Sequence, residues 1–172
     1  MGYLEKKVCY LTGPITDAKD DGISWRKSIT GALEQFGVVV DDPTKTTVGG
    51  AGEVGKDKEL FKQLLSEGKV AEVKERFWPI VRKDLRSVDR SDFLIFYCDT
   101  NAKMVGTIHE LVTANLQRKP VLMYIEKDKL KDLNPWVLVF IKNGCIFHSW
   151  QDMMIYLKEI DKGNYDTSYW TL

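Results

Sequence analysis

The run Asp92–Asp99, "DFLIFYCD", sets six uncharged, mostly apolar residues between two aspartates. A strand with one wet face alternates apolar and polar residues; this run does not, so a strand here must be covered on both faces. Similar short runs recur along the chain: "KVCYLTG" (7–13), which ends in a glycine turn, "VVVDDP" (38–43), "PVLMYIE" (120–126) and "CIFHS" (145–149). Helical patterns separate them. Residues 24–36 carry Ile29, Leu33 and Phe36 at helical spacing, with Ser24 as N-cap and Gly37 as stop. Residues 57–77 are charged and helix-prone with an interruption at Gly68. Pro79, favoured in a first helical turn, predicts a separate helix over 79–89. Further helices are expected over 106–118 and 150–160, before a tail (161–172) rich in Tyr and Trp.

Apolar strands alternating with helices predict an α/β fold: one doubly wound domain over 1–172, Rossmann-like or flavodoxin-like. Its five-stranded parallel sheet has helices on both faces, with the core over about 7–160. Such sheets bind ligands beyond the carboxyl ends of their strands. Those ends carry Gly13-Pro14, Asp41-Asp42, Asp99-Thr100-Asn101 and Glu126.

Composition narrows the partners. Twenty-five basic and 25 acidic residues cancel, leaving no basic footprint for nucleic acid. No apolar run reaches the roughly 18 residues of a membrane span, and no signal-peptide core opens the chain. Cys9, Cys98 and Cys145 lie far apart in apolar stretches, which reads as reduced thiols in a cytoplasmic protein. The expected partner is a small molecule.

Three motifs bear on chemistry. "GAGEVGKD" (50–57) matches GxGxxG, but about eight residues separate it from its strand, and Asp57 stands where a phosphate loop needs Ser or Thr. A surface loop over 44–56 is the better reading. "HELVT" (109–113) begins like a zinc motif, but Thr113 replaces the second histidine; no metal or other cofactor is expected. "TIHE" (107–110) is a capping box in which Thr107 caps a helix and Glu110 reaches back to its amide. That reading does not exclude chemistry, since a carboxylate in a first helical turn is kept ionised by the dipole, as a nucleophile requires.

A second acid stands out. Phe77, Val81, Leu85 and Val88 define the apolar stripe of the helix around Pro79, and Asp84 falls within it. An inward carboxylate costs several kcal/mol unless paired or used. Asp84 is therefore half of a buried ion pair, a cap for a neighbouring loop, or one of two acids converging on a pocket with Glu110. Paired groups of this kind suit reactions at an anomeric carbon, one attacking the sugar while the other manages protons. Tyr10, ending the first strand, is placed to orient such a carboxylate.

Taken together, "YLTGPI" (10–15), "KDLRSVDRSDFLIFYCD" (83–99), "GTIHELVTA" (106–114), "KPVLMY" (119–124) and "LNPW" (133–136) resemble the nucleoside 2-deoxyribosyltransferase superfamily. That superfamily includes the 2'-deoxynucleoside 5'-monophosphate N-hydrolases, and the resemblance spans about residues 7–160. It implies Glu110 as nucleophile at C1', Asp84 as contact to the base and Tyr10 as orienter of the nucleophile. It also implies that Gly13, Pro14 and Ile15 line the pocket, beside Gly106 and Thr107, and that Asn134 is lent across a homodimer or higher homo-oligomer to the sugar's 5' end. Six residues before the nucleophile, where transferases carry an aspartate and hydrolases a serine, this chain has Met104. Asp99 and Asn101 are the polar candidates to replace it, and Arg26, Thr12 and Thr16 are candidates for a phosphate. The implied substrate is a nucleoside or nucleotide with a free base as second partner. The favoured reaction is transfer of the sugar between bases; hydrolysis of a nucleoside 5'-monophosphate and non-catalytic binding are the alternatives.

Overall fold

A computed structural model of the protein describes residues 2–18, 20–45, 52, 54–166 and 168–170. Residues 46–51 and 53 of the 44–56 loop, including Gly50 of the GxGxxG match, lie outside the described residues. Five parallel strands form one sheet: β1 (Val8–Thr12), β2 (Val39–Asp41), β3 (Phe93–Tyr97), β4 (Val121–Tyr124) and β5 (Ile146–Phe147). Their order is β2-β1-β3-β4-β5. Leu94, Ile95 and Phe96 are fully buried, as expected of a central strand covered on both faces.

The order reverses between β1 and β3, so the chain leaves these neighbours in opposite directions and opens a crevice at their carboxyl ends. The helices α1 (Ile23–Glu34) and α6 (Trp150–Asp161) share one layer, where Trp25 stacks on Trp150 at 5.9 Å. The other layer pairs α3 (Val70–Arg90) with α4 (Val105–Leu116), and α2 (Lys56–Ser66) packs on α3. A short α5 (Pro135–Leu138) lies between β4 and β5. The core reaches past residues 7–160 at both ends: Leu4 and Trp170 are buried. No helix among the described residues is long and apolar enough to cross a membrane.

Three local expectations are corrected. Gly68, at φ 71°, does break the helical segment, but Pro79 starts nothing; it sits inside the 21-residue α3. Pro79 is solvent-exposed, so the Glu75 carbonyl deprived of its amide partner faces the wet side of the helix. Ser24 is not the cap of α1. The helix begins one residue earlier, after Gly22, and the Asp20 carboxylate accepts from the amides of Gly22 (3.1 Å) and Ser24 (2.8 Å). The 107–110 capping box is absent as well. The helix α4 starts at Val105, placing Thr107 inside the first turn and Glu110 in the second, with no side chain bonded at its N-cap.

Candidate active site

Alternate residues of a strand share a face, so Tyr10 and Thr12 of β1 both point toward the α3–α4 layer. There they meet Glu110 of α4. The Tyr10 hydroxyl donates to Glu110 Oε1 at 2.8 Å, and the Thr12 hydroxyl donates to Oε2. Each carboxylate oxygen thus has a donor from the rigid sheet, which fixes the side chain's direction. Glu110 lies too far into α4 for the helix dipole to do this work, since that field fades after the first turn. Burial, reinforced by the nearby Glu110 and Asp84 carboxylates, pushes the Tyr10 phenol well above its usual range. Tyr10 therefore stays a proton-bearing donor at physiological pH.

The carbonyl of Leu11, between them on β1, accepts from the buried Arg26 of α1. The guanidinium donates to the carbonyls of Leu11 (3.2 Å), Gly22 (2.8 Å) and Gly13 (2.9 Å), and lies 3.7 Å from Asp42. One side chain therefore pins both ends of the 13–22 loop. Gly13 is tightly seated: a Cβ there would lie 3.0 Å from the Trp25 ring and 3.1 Å from the Tyr97 carbonyl oxygen. Beneath it Trp25, Tyr97, Tyr124 and Trp150 stack with near-parallel rings. This makes a stiff floor under the loop.

A cavity of about 450 Å³ opens at this point. Tyr10, Gly13, Pro14, Ile15, Asp84, Gly106, Thr107 and Glu110 all border it. Its apolar wall comes from Phe77, Val81 and Leu85, the stripe of α3 expected to be core; they are only half-buried because they face this space. Asp84 is buried and borders the cavity, and its Oδ1 lies 3.0 Å from Lys83 Nζ. Burial raises its carboxyl above the ordinary range, against the opposing pull of Lys83. A wider depression of about 630 Å³ lies near the start of α2, but there Asp21 and Lys58 satisfy each other at 2.9 Å.

Other expected contacts fall elsewhere. Arg26 touches the cavity edge, but its donors are engaged with backbone carbonyls, so it is not a free phosphate ligand. Thr12 is fully buried, with its hydroxyl on Glu110. Asp99 and Asn101 bond each other in a turn (2.9 Å) outside the cavity lining. Met104 packs against the hydrophobic core, while its neighbours Lys103 and Val105 reach the cavity. Asn134 is exposed at the N-cap of α5, where its side chain accepts from the Trp136 amide at 3.0 Å. Lys103 and Asp17 line the mouth without having been singled out, since surface charges carry no local signature, and His109, weighed only as the start of a zinc motif, lines it too. No group of three or more metal-ligating side chains occurs among the described residues, and His148 is bonded to the Ile125 carbonyl.

The fold and cavity together define an α/β protein with a carboxylate-bearing crevice at the sheet's switch point. Comparison with solved structures gives that class particular neighbours. A 2-deoxyribosyltransferase from Bacillus psychrosaccharolyticus superposes with a TM-score of 0.60 at 16% identity, over 94% of this chain and 93% of that one. A conserved protein of Enterococcus faecalis V583 gives 0.62 at 16% identity, over 90% and 99%. The CMP N-glycosidase BcmB of Clostridium botulinum gives 0.51 at 12%, again over 90% and 99%. The chain thus shares its fold with these structures along nearly its whole length. No protein-family model and no curated protein sequence matches it.

Proposed function

We propose that the protein cleaves the N-glycosidic bond of 2'-deoxynucleosides and transfers the sugar to a second base through a deoxyribosyl–Glu110 intermediate. The observation that carries this reading is the Glu110 carboxylate, aimed into a nucleoside-sized cavity by hydroxyl donors from Tyr10 and Thr12. A glutamate oxygen attacks C1', the C1'–N bond breaks, and its electron pair passes to the base nitrogen. The Asp84 carboxyl, whose proton is favoured by burial, neutralises the departing base. In the second half a nitrogen of the incoming base attacks C1', Glu110 leaves as carboxylate, and the proton from that nitrogen returns to Asp84. The apolar wall of Phe77, Val81 and Leu85 packs against the base and keeps water from competing.

A second reading is hydrolysis of a nucleoside 5'-monophosphate. It is favoured by Lys103 and His109, two cationic or potentially cationic groups at the cavity mouth. Both readings share Glu110. The deciding experiment offers deoxynucleosides with and without an acceptor base, then the corresponding 5'-monophosphates, following free base and exchanged nucleoside by chromatography. Base exchange that depends on the acceptor supports transfer; base release from monophosphates alone supports hydrolysis. Glu110→Ala abolishes either activity while calorimetric binding of the substrate persists. Ligand binding by the native chain without turnover of any substrate leaves a pure binding module and defeats the enzyme reading.

A further inference from the structure

Neighbouring helix positions point about 100° apart and do not ordinarily face each other. Lys83 and Asp84 are adjacent on α3, yet Lys83 folds back until its Nζ is 3.0 Å from Asp84 Oδ1. The same ammonium donates to the Pro43 carbonyl at 3.3 Å, tying α3 to the turn that follows β2. Only 20% of the Lys83 side chain is exposed, so water screens this charge incompletely. Among the described residues Lys83 is the one partner of Asp84 Oδ1. This acid is held chiefly by charge.

We propose that Lys83 is a positioning residue acting through Asp84: as the nearest cation it sets the direction of that carboxyl and how readily it gives up its proton. The proposal deepens the reading of Asp84 as proton donor and rests on it for its catalytic meaning. The charged and titratable groups around Asp84 come from every neighbouring element. They are Arg26 of α1, Asp41 of β2, Tyr10 of β1 and Glu110 of α4, with Asp17, Lys103 and His109 farther along the cavity. Arg26 and Asp41 act on Asp84 in opposite directions, and Lys83 exceeds both. Burial pushes the proton onto the carboxyl and Lys83 pushes it off. An acid so balanced can release and retake a proton within one catalytic cycle.

The test titrates Asp84 directly, in protein labelled with 13C at aspartate carboxyls, its resonance assigned with Asp84→Asn. In Lys83→Met the Asp84 midpoint rises by about one pH unit, the scale of removing an adjacent opposite charge. Lys83→Gln keeps a donor for Pro43 but no charge, and shows the same rise; Lys83→Arg restores the native midpoint. Near-UV circular dichroism verifies that each variant is folded. An unchanged or lowered midpoint in folded Lys83→Gln overturns the proposal. Because the titration needs no substrate, it decides the role of Lys83 even where the proposed reaction fails. Where turnover is present, the pH–rate limb moves with the midpoint.

Discussion

Glu110 illustrates how a local pattern can point to a helix cap that the fold does not make. "TIHE" fits a capping box, and nothing local distinguishes it from one. Three extra residues at the start of α4 decide otherwise, because they carry Glu110 past the helix end and opposite β1. Tyr10 and Asp84 were legible on firmer grounds, one lying on an apolar strand and the other on an apolar stripe; both border the cavity. The Thr12–Glu110 bond was not legible, since 98 residues separate the partners and a threonine ending a strand is unremarkable. Removing one donor tests this arrangement. Tyr10→Phe leaves the ring's packing and deletes the 2.8 Å bond, so kcat falls by roughly 10–100-fold with KM little changed. Steady-state kinetics over a substrate range provides the measurement. A rise in KM at constant kcat instead places Tyr10 in substrate binding.

At the scale of elements, the strands were legible because double-sided burial writes itself as unbroken apolar runs, and Gly68 was legible as a break. The continuity of α3 through Pro79 was not. Local chemistry says that proline interrupts a helix, but residues on both sides of it share one inward face. Phe77 packs edge-on against Phe61 of α2 at 5.1 Å, and Ile80 is buried in the next turn. Tertiary packing outweighs one missing backbone bond. The helix nevertheless carries that defect, and the exposed position offers proline no compensating contact in the core. Pro79→Ala restores the amide donor to the Glu75 carbonyl and removes the ring's clash with it. Against this gain, the unfolded chain recovers about 0.4–1 kcal/mol of freedom. Proline's cost inside a helix is about 3 kcal/mol, so the variant is expected to be more stable by roughly 2 kcal/mol. Urea denaturation reads this as a higher midpoint at unchanged slope. A lower midpoint shows that α3 needs the shape proline gives it.

For the molecule as a whole, the cavity imposes a cost on folding that a core of the same size without it does not carry. A carboxyl stands in an apolar wall beside Phe77, Val81 and Leu85, with one lysine at its side. Burial is the larger influence and raises Asp84 above its ordinary value of 3.8. The sign follows from proton linkage. Below the unfolded value the group is protonated in both states and folding carries no penalty. As pH rises through the raised folded value, the unfolded chain has already lost the proton that the folded one still favours, so stability declines until the folded carboxyl is ionised too. Asp84→Asn removes the titration while keeping the shape. Its melting temperature should therefore match the native protein's below about pH 3.8 and exceed it at pH 7 to 8, each kcal/mol of relief appearing as about 2–4 °C. Calorimetric scans of both proteins across that range make the comparison, and a variant less stable at pH 7 means that the Lys83–Asp84 pair outweighs the desolvation of its acid. A gain at neutral pH, together with lost turnover, identifies Asp84 as a residue kept at the expense of stability.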